Sequence, residues 1–121
     1  MDKRTGEFSK SDLESLTRFV AVGKGIISLK GLDSATNLTL LRLDNNSNDL
    51  KPIADLIKLE GPNVNGNIVD DLKPISNLIN LTTLSFDRNE IFHISSLNKL
   101  KRIESITGHF NAISDISVIK N

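Results

Sequence analysis

The chain has no cysteine, no tryptophan and no tyrosine among its 121 residues, and five phenylalanines are its only aromatics. Without cysteine there is no disulfide framework, no thiolate nucleophile and no cysteine-ligated zinc. Charge of one sign is missing too, 15 basic residues standing against 15 acidic. That balance removes the general attraction that draws basic proteins to nucleic acid or an anionic bilayer. No apolar run approaches the ~20 residues needed to span a membrane. The opening MDKRTGEFSK is charged and lacks an apolar h-region, so no secretory signal is read there. Phosphate-loop, dinucleotide and EF-hand signatures are absent. With 38% hydrophobic and 25% charged residues, what remains is one soluble globular domain with a single modest core.

What is present is repetition. The string Asp-Leu-Lys-Pro-Ile occupies 49–53 and again 71–75, 22 residues apart. Stepping on by that interval reaches His93-Ile94-Ser95-Ser96-Leu97 and then Asp115-Ile116-Ser117-Val118-Ile119. Asn46, Asn67, Asn89 and Asn111 keep the phase at spacings of 21, 22 and 22. Ahead of them lie apolar frames: Leu38…Leu41-Arg42-Leu43, a degraded Leu59…Pro62-Asn63-Val64, Leu81…Leu84-Ser85-Phe86, and Ile103…Ile106. A further copy without its asparagine reads Leu16…Phe19-Val20-Ala21.

The period has a physical reading. Leu-x-x-Leu-x-Leu is a short alternating strand with one face buried. After the asparagine, apolar residues recur every third position, Val69, Leu72, Ile75, Leu78 and likewise Ile91, Ile94, Leu97, Leu100. That spacing suits 3₁₀ turns or extended chain better than an α-helix. Each unit is then one turn of a coil, and stacked turns share a core that a lone turn cannot build. The asparagine is expected to point inward at the bend and satisfy backbone groups there.

These features resemble the leucine-rich repeat proteins, specifically the 22-residue bacterial type of the internalins. The resemblance rests on SDLESL (11–16), GIISLKGLDSATNLTLLRL (25–43) and INLTTLSFDRNEI (79–91), and extends over about 11–119. It implies a parallel β-sheet on a concave face, short 3₁₀ segments on a convex face and a helical cap at the N-terminus. The expected fold class is α/β, a short right-handed leucine-rich repeat solenoid. Residues 1–24 would form the cap and a degenerate first repeat strand, and 25–121 the repeats, without a C-terminal cap, in one structural domain. The cap also reads independently. Ser9 three residues before Asp12 is an N-cap signature, and Leu13 and Leu16 share a helical face with Phe8 just before them. This places a helix at about 10–18.

Three departures from the pattern stand out. The repeat from Leu38 is one residue short, with Ser47 or Asn48 in an apolar slot, so an altered turn is expected there. Gly61-Pro62 falls where the next strand should begin, and proline donates no ladder hydrogen bond, which predicts a short or distorted strand. At the C-terminus no polar capping repeat follows Ile119. Ile103, Ile106, Ile113, Ile116 and Ile119 would be left at the end of the stack, beside an open strand edge near 105–109. Three readings of that end are a longer natural protein, a homodimer through the C-terminal edge, and an edge tolerated in water.

Period two places Val20, Arg42, Asn63, Ser85 and Thr107 in one outward row, and Val22, Asp44, Asn65, Asp87 and His109 in the next. Gly23, Asn45, Gly66, Arg88 and Phe110 follow beyond, with row neighbours about 4.8 Å apart. Arg88 beside Phe110 offers a cation–π pair, in residue types enriched at binding hot spots. The candidate partner-binding residues are therefore Arg42, Asp44, Asn63, Asn65, Ser85, Asp87, Arg88, Thr107, His109 and Phe110. The function read from them is non-catalytic binding of a protein partner through the concave sheet face.

Two alternatives stand beside that reading. One is self-association through the open C-terminal repeat edge. The other is a hydrolase on Ser85, Asp87 and His109, which fall together in register. Against the second, Ser85 to His109 runs diagonally, and strand amides are committed to the ladder rather than to an oxyanion. His93 reads as a surface histidine, since no second His or Cys shares its register. No cofactor, metal, nucleic acid or membrane insertion is expected. The family resemblance implies a secreted or cell-surface location.

Overall fold

The computed structural model describes residues 9–23, 25, 29–46 and 49–116. Phe8, Ser47, Asn48 and Ile119, singled out above, lie outside the described residues. The chain enters through helix α1, Lys10–Glu14. Ser9 Oγ accepts the Asp12 N–H at 3.1 Å and Asp12 Oδ2 accepts the Ser9 N–H at 2.9 Å, a reciprocal capping box. The helix is shorter than the expected 10–18. It stops at Ser15, whose hydroxyl donates back to Asp12 O at 2.7 Å. The chain has to be extended again by Arg18, where the first strand begins. Leu16 and Phe19 pack against the core from this end.

Among the described residues four short strands follow: β1 Arg18–Val20, β2 Leu40–Arg42, β3 Thr83–Ser85 and β4 Ser105–Thr107. They pair in parallel, β1 with β2 and β3 with β4, in the register Phe19–Leu41 and Leu84–Ile106. Between the two pairs, the repeat from Leu59 contributes only single bridges, Arg42–Asn63 and Asn63–Ser85. This is the distortion that Gly61-Pro62 predicts. Pro62 is buried and has no N–H to give, while a Cβ on Gly61 would lie 2.5 Å from Thr83 Oγ1. The turn still stays in the stack. Asn63 N–H donates to Leu41 O at 2.9 Å and Asn63 O accepts the Leu43 N–H at 2.8 Å.

The return side is a series of 3₁₀ turns at Leu32–Ser34, Lys51–Ile53, Lys73–Ile75 and Ser95–Leu97. The two Asp-Leu-Lys-Pro-Ile copies show why. Asp49 and Asp71 Oδ1 accept the N–H of Lys51 and Lys73 at 3.0 and 2.9 Å. Pro52 and Pro74 then sit in the first turn, where an N–H has no helical acceptor. The three-residue period delivers its apolar residues inward: Val69, Leu72, Ile75 and Leu78, and Ile91, Ile94, Leu97 and Leu100, are all buried. Phe86 is fully buried, and Gly108 lies against it so closely that a Cβ would come within 2.6 Å of Cε2.

The asparagines do what their position in an apolar frame requires. Asn89 Nδ2 donates to Val64 O, Phe86 O and Asp87 O at 2.9–3.2 Å, and its Oδ1 accepts the Val69 N–H at 3.1 Å. Asn67 repeats the three donations to Leu43, Val64 and Asn65, and Asn46 to Ala21, Leu43 and Asp44. Asn111 continues the ladder, donating to Phe86 O and accepting the Ile91 N–H at 3.0 Å. Each side chain therefore joins its own turn to the one before.

At the last described turn Ile103, Ile106 and Ile113 are half-buried and Ile116 is 63% exposed. Among the described residues β4 pairs on one side only.

Candidate binding face

The outward side of the strands carries the candidate residues, and the pairing fixes which of them meet. Val20, Arg42, Asn63, Ser85 and Thr107 are consecutive register partners, as the two-residue alternation requires. Arg42 reaches along its own strand to Asp44, Nη2 to Oδ2 at 2.8 Å. With the Arg42 side chain 48% exposed the pair contributes little to stability, but it fixes both side chains on the face.

A continuous hydrogen-bonded chain crosses the later turns. Ser85 Oγ donates to Asn65 Oδ1 at 2.8 Å, and Thr107 Oγ1 completes the pair with Ser85 Oγ at 2.7 Å. Since the Ser85 proton goes to Asn65, Thr107 is the donor in the second bond. Asn65 Oδ1 also accepts the Asp87 N–H at 2.6 Å, and Asp87 Oδ1 in turn accepts the His109 N–H at 2.9 Å. Asn65, Ser85, Asp87, Thr107 and His109 are thus joined in one network.

That wiring is not a catalytic relay. Asp87 holds the main chain of His109 rather than its imidazole, and the Ser85 hydroxyl is directed to Asn65 and Thr107. A base must sit within hydrogen-bond reach of the nucleophile it activates. Among the described residues no group of three or more His, Asp or Glu is placed to hold a metal ion.

The network has a fault where the repeat is degraded. In the row Asp44, Asn65, Asp87, the oxygens of Asn65 and Asp87 each accept the N–H of the next row member. Asp44 Oδ1 should accept from Asn65, but the Asn65 N–H donates instead to Asn63 Oδ1 at 3.1 Å. Asp44 Oδ1 is left buried without a partner.

Arg88 and Phe110 do come together, the guanidinium carbon 5.5 Å from the ring centroid. They are not strand residues. Both lie in the bend after the strand with left-handed backbone, φ 57° and 59°. The whole row shares that conformation: Gly23 at 60°, Asn45 at 59° and Gly66 at 69°. Glycine or asparagine at three of five places was the sequence signal for it. Phe110 is 76% exposed. A second ring contact is the edge-on packing of Phe92 on His93 on the return side, centroids 4.6 Å apart. Adjacency of the two residues was its only trace in the sequence.

No family model and no curated protein matches the chain. Solved structures do. An internalin, InlF, from Listeria monocytogenes is 32% identical with a TM-score of 0.88, over 94% of this chain and 34% of that one. The functional domain of InlJ from Listeria monocytogenes is 22% identical with a TM-score of 0.78, over 93% of this chain and 24% of that one. A leucine-rich repeat protein from Leptospira interrogans is 23% identical with a TM-score of 0.73, over 87% and 28%. The last two likenesses speak to fold alone. The chain spans about a third or less of the length of these relatives. The InlJ domain includes a cysteine ladder; here, with no cysteine in the chain, the ladder that crosses the turns is asparagine.

Proposed function

Starting from a chain built of bacterial internalin-type leucine-rich repeats, we propose a non-catalytic protein-binding module that takes its partner on the concave face of the strands. In this reading the coil is right-handed, α1 serves as the N-terminal cap, and the repeats run on from there. The partner is a protein, met by Arg88, Phe110 and His109 at one end of the face and by Arg42, Asp44 and Asn63 behind them. Resemblance to the internalins supports a secreted or surface-displayed location.

The observation that carries the reading is the backbone of Arg88 and Phe110. Left-handed φ costs a residue with a Cβ about 1 kcal/mol or more, and glycine almost nothing. Gly23 and Gly66 show that the bend accepts glycine. Arg88 and Phe110 occupy the same bend with large exposed side chains that bury little within the chain. Strain held at exposed residues, offset within the chain only in part by their cation–π contact, is the kind of outlier that clusters at functional positions. An aromatic ring beside a guanidinium, rigidly placed, is also the usual composition of an interface hot spot.

The test is a binding screen of the chain against purified bacterial and host surface proteins, followed by Arg88→Ala with Phe110→Ala. For a true partner the double variant should weaken affinity at least about tenfold while the fold and mass stay unchanged. Undiminished affinity would remove this cluster from the interface.

A further inference from the structure

The degraded repeat holds the chain's one Asn-Gly step, Asn65-Gly66. Asparagine followed by glycine is the dipeptide in which the next amide nitrogen, unhindered by a Cβ, reaches the side-chain carbon most easily. We propose that Asn65-Gly66 is a deamidation site that the folded repeats hold shut, so that aspartate or isoaspartate forms there only when these turns open.

The chemistry needs water alone as co-reactant. The Gly66 amide nitrogen loses its proton and attacks Cγ of Asn65. The Cγ–Nδ2 bond breaks, ammonia leaves with that proton, and a five-membered imide closes. Water then cleaves one of the two imide C–N bonds. Cleavage at Cγ leaves aspartate; cleavage at the main-chain carbonyl leaves isoaspartate, with the chain rerouted through the side chain. Nothing is oxidised or reduced.

The attacking nitrogen and the two carbonyls beside it are all hydrogen-bonded in the fold. The attacking nitrogen donates its proton to Asp87 O at 2.8 Å. The side-chain carbonyl is fixed from two sides by the Asp87 N–H at 2.6 Å and the Ser85 hydroxyl at 2.8 Å. The carbonyl of the 65–66 peptide accepts the Asn45 N–H at 2.8 Å and Asn67 Nδ2 at 3.2 Å. Gly66 is also pressed against Asn45, whose Oδ1 would overlap a Cβ added there. Turning the amide nitrogen onto Cγ breaks hydrogen bonds to both neighbouring turns at once. The rate therefore follows local opening of the stack.

The two products differ in consequence. Aspartate at 65 keeps an oxygen for Asp87 N–H and Ser85 Oγ, now as charge-assisted bonds. It also adds a negative charge between Asp44 and Asp87 on the outward face. Isoaspartate lengthens the main chain by one carbon just ahead of Asn67, and so disturbs the ladder that Asn67 makes to Leu43 and Val64. The inference holds whether or not this face binds a protein.

The experiment incubates the full chain, folded and in urea, at mildly alkaline pH, and follows all asparagines by peptide mapping with isoaspartate-specific labelling. In urea, conversion at residue 65 should lead every other asparagine; in the folded chain it should fall at least about tenfold below its urea rate. No lead in urea overturns the site, and equal rates in the two states overturn the lock. The Asn65→Asp variant tests the accommodated product: it should match the parent in circular dichroism and sizing, and a variant that fails to fold overturns that part.

Discussion

Two rows of residues run side by side through the bend that follows each strand, one position apart in sequence, and they obey different rules. The inner row is Asn46, Asn67, Asn89 and Asn111, the same residue in each of the four turns after the first. The outer row is Gly23, Asn45, Gly66, Arg88 and Phe110, five positions with one shared backbone conformation and four residue types. The inner row is uniform because the backbone leaves carbonyls and an N–H in an apolar setting, and only a short amide both donates and accepts at that reach. The outer row needs only a left-handed φ. Its first three members meet that need cheaply. Its last two do not, so the reason for them lies outside the backbone.

The largest effect should come from breaking the inner row. Asn89→Ala leaves the Val69 N–H without its acceptor and reduces Val64 O and Phe86 O to the bonds they receive from Asn67 and Asn111, in a buried bend. The orphaned N–H costs about 1–3 kcal/mol and each of the other lost hydrogen bonds about 0.5–1.5 kcal/mol, so a loss of about 3 kcal/mol is expected. Urea unfolding followed by circular dichroism measures it. A loss below about 1 kcal/mol would mean the ladder is ornamental, and the contrast between the rows would go with it.

The next effect separates conformation from space within the outer row. Gly23→Ala meets no atom within 4 Å, so only its φ of 60° opposes the substitution. Gly66→Ala carries the same conformational cost and also overlaps Asn45 Oδ1. We expect about 1 kcal/mol for Gly23→Ala and about 1 kcal/mol more for Gly66→Ala, as overpacking adds to strain. Equal losses would show that Asn45 moves aside freely.

The comparison also explains what could be read from the residues alone. The repeat, the strand register and the inward asparagines were legible, because each is a periodic demand of the backbone and recurs with every turn. The failure at Gly61-Pro62 was legible too, since a missing N–H is a local fact. Of the helix only the start is legible: Ser9 and Asp12 mark it, whereas its end at Ser15 depends on where β1 must begin. Among the candidate residues, register alone brings Ser85, Asp87 and His109 near one another. Their wiring was not legible, because whether Asp87 holds a ring or a main-chain N–H is decided by rotamers across two turns. Nor was the displaced Asn65 N–H, which turns to Asn63 only because the degraded repeat lets it, and leaves Asp44 Oδ1 unpartnered. Periodicity reports what the turns share; the site is made of what they do not.

The smallest effect has the opposite sign, and it sharpens the contrast most. Arg88→Gly relieves one strained φ, a gain of about 1 kcal/mol, and loses the cation–π contact, worth about 0.5 kcal/mol at an exposed site. Phe110→Gly does the same from the other side. Each single variant should therefore be more stable than the parent by about 0.5 kcal/mol. The double variant relieves both strains but loses the one shared contact only once, so it should gain about 1.5 kcal/mol. The excess over the summed singles, about 0.5 kcal/mol, is the coupling between guanidinium and ring. Thermal unfolding of the four proteins in the cycle measures all of this. Variants that lose stability would mean that Arg88 and Phe110 serve the fold after all, and the outer row would then be no different in kind from the inner one. Variants that gain it would identify two residues the solenoid folds better without, on the face proposed to meet a partner.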